Sequence, residues 1–100
     1  MKIPVNQLLE IVKYRDFYDI PRVILAKSDG PMFWILGSAF DDGADDYKDS
    51  YSIFFAGQSI EHADETFQRH CQGVVGESMG ELPVSQFEFD RTRRASFFIR

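Results

Sequence analysis

The sequence predicts an α+β fold: a five-stranded, mainly antiparallel sheet with two helices packed on one face, in the chain order α-β-β-β-α-β-β. Three observations predict it. Two nearly continuous apolar runs flank an Asp29-Gly30 turn signal, a helical apolar stripe runs through residues 60–72, and two runs of alternating Phe close the chain. The length of 100 residues fits one domain, residues 1–100, which can bury a core without disulfide staples.

The first element predicted is a short helix over residues 5–13. Val5, Leu8, Leu9 and Val12 follow the i, i+3, i+4, i+7 rule, with Asn6, Gln7, Glu10 and Lys13 off the stripe. It ends near Tyr14, and Pro21 biases Ile20 away from helix. Residues 22–27 and 32–38 are strands joined through Ser28-Asp29-Gly30-Pro31, which carries the Asp-Gly turn signal. Their apolar continuity marks them as buried on both faces or central in the sheet. Residues 41–50 are a polar, acidic loop. Residues 50–56 form a third strand, with Tyr51, Ile53 and Phe55 on one face and Ser52, Phe54 and Ala56 on the other.

Gly57 ends that strand, and Ser59 is positioned to cap a helix over about residues 60–72. Ile60, Ala63, Phe67 and Cys71 form its core stripe, while Glu61, Glu65 and Arg69 lie away from it. Gly73 is a C-terminal stop. Residues 73–83, rich in glycine and ending at Pro83, are a connector. Residues 84–90 and 95–100 make a last hairpin whose turn falls within Asp90 to Arg94.

Composition excludes several function classes. The formal net charge is −5, which disfavours nonspecific nucleic-acid binding, since that needs excess Lys and Arg. No apolar run reaches membrane-spanning length. No signal-peptide h-region follows Met1, so the expected location is cytoplasmic. The single cysteine, Cys71, has no partner for an internal disulfide. There is no Gly-rich phosphate loop, no Gly-x-Ser-x-Gly, no Cys-x-x-Cys and no His-Glu-x-x-His. Neither a cofactor nor a resident metal is called for, and the expectation is a protein that is not an enzyme.

Four features compete as sites. Asp41, Asp42, Asp45, Asp46 and Asp49 crowd five carboxylates into nine residues. An EF-hand begun at Asp41 fails, because Gly43 stands at position three and Asp46 where the loop glycine belongs. A solvated loop, or a docking surface for a basic partner, fits better. His62 and His70 share a helix with Cys71 but are eight residues apart, about 12 Å along the axis. They cannot ligate one ion, and Cys71 on the apolar stripe reads as a small core residue. Arg91, Arg93, Arg94 and Arg100 form a cationic turn and edge that discourages strand pairing or binds an acidic group.

The fourth feature is the sheet face opposite the helices. It is expected to carry Phe54 and Phe98 together with either Phe33 and Ile35 or Met32, Trp34 and Leu36. Exposed aromatic surface rimmed by polar groups signals a binding site. The competing reading is that the sheet curls and closes a second core there.

The function that follows is binding of another protein without catalysis, as in a small acidic inhibitor, immunity protein or antitoxin. The expected contact residues are Phe33, Trp34, Phe54, Phe98, Asp41, Asp42, Asp45, Asp46, Arg93 and Arg94. A self-associating accessory subunit, pairing as a homodimer, is the alternative. A small enzyme and a sheet-face nucleic-acid binder rank below both.

Overall fold

The computed structural model describes residues 3–18, 20–38, 40–41, 46–47, 49–74, 76–89 and 96–100. Strand β1 (Gln7–Tyr18) is followed by β2 (Ile20–Ser28), β3 (Met32–Gly37), β4 (Phe40–Asp41), β5 (Asp46–Tyr47) and β6 (Ser50–Gly57). Helix α1 (Ile60–Cys71) comes next, then β7 (Gly80–Pro83), a 3-10 turn over Val84–Gln86, β8 (Phe87–Phe89) and β9 (Ser96–Ile99). Seven strands form one antiparallel sheet in the order β7-β6-β3-β2-β1-β9-β8, and β4 pairs with β5 alone. The α+β class stands, but the described chain has seven strands and one helix in the main unit, not five and two.

The sheet is rolled into a half-barrel. Strands β6 and β8 are five places apart in the strand order, so a flat sheet would hold them about 24 Å apart at ~4.8 Å per strand. Instead the rings of Tyr51 on β6 and Phe87 on β8 meet edge-on with centroids 4.9 Å apart. The 3-10 turn carries the chain from edge strand β7 to edge strand β8. It is held by Val84 N–H donating to the Asp49 carbonyl and by Arg100 N–H donating to the Gln86 carbonyl.

Two cores result. Inside the roll, Leu9, Ile24, Ala26, Trp34, Leu36, Tyr51, Ile53, Phe87, Phe97 and Ile99 are all buried. Outside it, α1 lays Ala63 and Phe67 over Leu25, Phe33, Ile35 and Ala56. The central hairpin is therefore buried on both faces, as its continuous apolar runs require. The face opposite the helix, expected to be open, is sealed by the curl. Trp34 is 1% exposed and its Nε1–H donates to the Ser28 hydroxyl at 2.9 Å.

The largest correction concerns residues 5–13, which are not a helix. Gln7 onward is strand, paired with β2 on one side and β9 on the other. Leu9 and Ile11 point into the roll and Val12 packs toward the helix side. A register shift falls between Ile11 and Lys13, so two residues stand opposite Leu25. That bulge breaks the period-2 alternation, and the residual spacing of Leu8, Leu9 and Val12 imitates a helical stripe. Two smaller corrections follow. The connector at 73–83 contains β7, and the loop at 41–50 contains β5 and the second residue of its partner β4.

Helix α1 matches its expected bounds. The Ser59 side chain accepts from the His62 N–H at the N-cap. At the other end Gly73 has φ of 91°, its N–H donates to the His70 carbonyl, and Val74 N–H donates to the Arg69 carbonyl. This is a Schellman closure, which needs a residue free to adopt positive φ.

Candidate interaction surface

Helix α1 lies over β6, β2 and β3. It reaches β1 through an ion pair between Lys13 and Asp64. The outer faces of β1, β9 and β8 carry on beyond the helix. Across them Leu8, Phe98 and Glu88 form one row, because Leu8 pairs with Phe98 and Phe98 with Glu88. Leu8 is 66% exposed, the most exposed of the large apolar residues described. Phe98 beside it is half-buried; Glu10 on β1, Glu88 on β8 and Arg100 just past the end of β9 are exposed. Arg100 approaches Glu88 at 4.0 Å and donates to the Ser85 carbonyl.

Along β1 this strip runs into a groove of about 640 Å³ between the strand and the C-terminal half of α1. Val12, Lys13 and Arg15 line one wall, and Phe67, Gln68 and Cys71 the other. The bulge creates this wall: by setting Val12 and Lys13 against a single partner, it turns both toward the helix.

Both histidines are explained by how the helix sits on the sheet. His70 lies over Gly37, where an added Cβ would come within 3.0 Å of Nε2, and its ring meets Phe54 edge-on at 5.0 Å. His62 lies over Gly57, where a Cβ would come within 2.8 Å of Cδ2. Each imidazole occupies the space left by a missing side chain, at opposite ends of α1. Burial holds the His70 pKa below its ordinary value. No group of three or more His, Cys, Asp or Glu among the described residues is placed to hold a metal ion. Ser52 donates to Glu81 at 3.3 Å, an exposed cross-strand bond.

The expected contact residues divide as follows. Phe33 is buried beneath α1 and Trp34 inside the roll, so neither side chain is open to a partner. Phe54 and Phe98 are half-buried and lie on the helix-bearing face, not the opposite one. They do not form one patch, because β3, β2 and β1 separate their strands. Asp41 and Asp46 pair across β4–β5. Asp42, Asp45, Arg93 and Arg94 fall outside the described residues. Leu8, Lys13, Arg15 and Gln68 were not anticipated. The signal for Leu8 was the doublet Leu8-Leu9, which in a strand must put one leucine on each face.

No α1-type helix here is long and apolar enough to cross a membrane, among the described residues. No family model, curated protein or solved structure matches this chain.

Proposed function

We propose that this chain is a non-catalytic protein-binding domain, of the inhibitor, immunity-protein or antitoxin kind, which docks through the outer face of β1 and β9. One observation carries the reading. A leucine left two-thirds exposed in a paired strand, beside the half-buried ring of Phe98, gives an apolar centre rimmed by Glu10, Glu88 and Arg100. Interfaces are built this way, with an apolar core and a polar rim. A stable complex buries about 800 Å² on each partner, so the strip must extend beyond Leu8 and Phe98 along β1.

The test is site-specific crosslinking with a photo-reactive benzoylphenylalanine in place of Leu8, and a control in place of Glu65 on the exposed side of α1. The expected result is one crosslinked partner protein from Leu8 and none from Glu65. Affinity for that partner then falls about tenfold in Leu8→Ala, as expected when a largely exposed leucine becomes buried on binding. Equal crosslinking from both positions, or none from Leu8, overturns the proposal. A crosslinked product of twice the chain mass replaces it with self-association.

A further inference from the structure

We infer that the groove between β1 and the C-terminal half of α1 receives an acidic, aliphatic polypeptide segment of the partner. The inference deepens the protein-binding reading above and rests on it.

The sign of the ligand comes from the charged groups. The chain as a whole carries −5, yet the charged residues lining this groove are Lys13 and Arg15, with no carboxylate among them. Lys13 is already matched by Asp64 on the helix. Arg15 is exposed and makes no ion pair with another described residue. Among the described residues this guanidinium is uncompensated, and Arg is suited to bidentate pairing with a carboxylate.

The end of α1 does not cancel this. A helix C-terminus bears partial negative charge on its free carbonyls. Here the carbonyls of Gln68, Arg69 and His70 accept from the N–H groups of Gln72, Gly73 and Val74. These bonds leave fewer free carbonyls at the groove, and with Lys13 matched by Asp64 the net side-chain charge there is that of Arg15.

The shape favours a chain segment. At about 640 Å³ the groove is of ligand size. It is a trough walled by a strand and a helix and open to solvent, whereas small-ligand sites enclose most of their ligand. Gln68 and Gln72 stand one helical turn apart on the helix wall. Gln68 Nε2 already donates to Asp64 Oδ2 at 3.1 Å, so its Oε1, together with the Gln72 amide, is what remains to bond a peptide backbone. Val12, Phe67 and the Cys71 thiol form an apolar floor for an aliphatic side chain.

The experiment is a titration of the ¹⁵N-labelled full chain with two capped hexapeptides. One alternates glutamate and leucine; the other alternates lysine and leucine. The expected result is saturable shifts at the amides of residues 12–15 and 68–72 with the glutamate peptide only. In Arg15→Gln the affinity drops about fivefold, the scale of one exposed ion pair. In Gln68→Glu, which leaves Arg15 in place, the glutamate peptide weakens and the lysine peptide begins to bind. Retained dispersion of the amide spectrum identifies folded variants. Equal binding of both peptides, binding elsewhere, or no binding overturns the inference. Because the Leu8 crosslink does not depend on these peptides, failure here leaves the broader reading to stand or fall on that result.

Discussion

Replacing Leu8 and Leu9 one at a time by alanine discriminates between a strand and a helix at the start of the chain. On a helical stripe the two leucines are neighbours on the core face and should cost similar amounts. In the observed strand they face opposite ways: Leu9 is 0% exposed and Leu8 66%. Truncating a fully buried leucine costs about 2–5 kcal/mol, the lost transfer energy plus the cavity. Leu8 has only about a third of its surface buried. Its truncation forfeits about a third of the 1.5–3 kcal/mol attached to full burial, or ~0.5–1 kcal/mol. Strand propensity is common to both changes and cancels in the difference. The assay is urea unfolding followed by the single tryptophan. With a slope of about 1.5 kcal/mol/M, Leu9→Ala lowers the midpoint by about 1.5–3 M and Leu8→Ala by less than about 0.7 M. Midpoints lowered equally would refute the assignment of β1, and with it the surface built on its outer face.

Three further outcomes follow from the same geometry. Gly57→Ala destabilises by about 1–2 kcal/mol through its backbone alone, since φ is 98°, and more through the contact with His62; adding His62→Ala to it recovers only the second part in denaturant unfolding. His70 binds its proton less readily folded than unfolded, so its contribution is fully present above the unfolded pKa of about 6.5 and is lost as pH falls below it toward the lowered folded value; His70→Gln flattens the rise of stability with pH across that window. Trp34 emits at short wavelength and resists iodide quenching in the native protein, being 1% exposed, and Trp34→Phe, which deprives the buried Ser28 hydroxyl of a donor, costs about 1–3 kcal/mol by thermal melting.

Where local chemistry is self-sufficient, the sequence is legible. The β2–β3 hairpin is announced by Asp29-Gly30 between apolar runs. The helix is announced by Ser59, the Ala63–Phe67 stripe and Gly73. Strand β6 also shows its alternation, with Tyr51, Ile53 and Phe55 sharing one face, but not which of its two faces the helix covers. Where structure depends on distant partners, legibility fails. Strand β1 owes its state to two neighbours, one of them at the far end of the chain. Its bulge erases the alternation that would have given it away. Strand β7 has four residues and a burial pattern of two half-buried positions, Gly80 and Leu82; it exists because β6 offers it an edge. The candidate surface inherits both failures. Reading residues 5–13 as a helix hides Leu8 in a stripe and assigns the uncovered face to the wrong side of the sheet.

The roll also constrains how any partner can engage. Strand addition to an open edge needs a run of free backbone groups. The outermost strands of this sheet are β7, with four residues and a terminal proline, and β8, with three residues. The 3-10 turn joins them directly, so each edge ends where the other begins. Short edges and an edge proline are the ordinary protection against added strands. The inner face is filled by its own rings, from Tyr51 through Phe87 to Phe97. With the outermost strands short and the inner face occupied, the proposed docking relies on side chains of the outer face, where α1 stops short of β9 and leaves Leu8 and Arg15 along one strand.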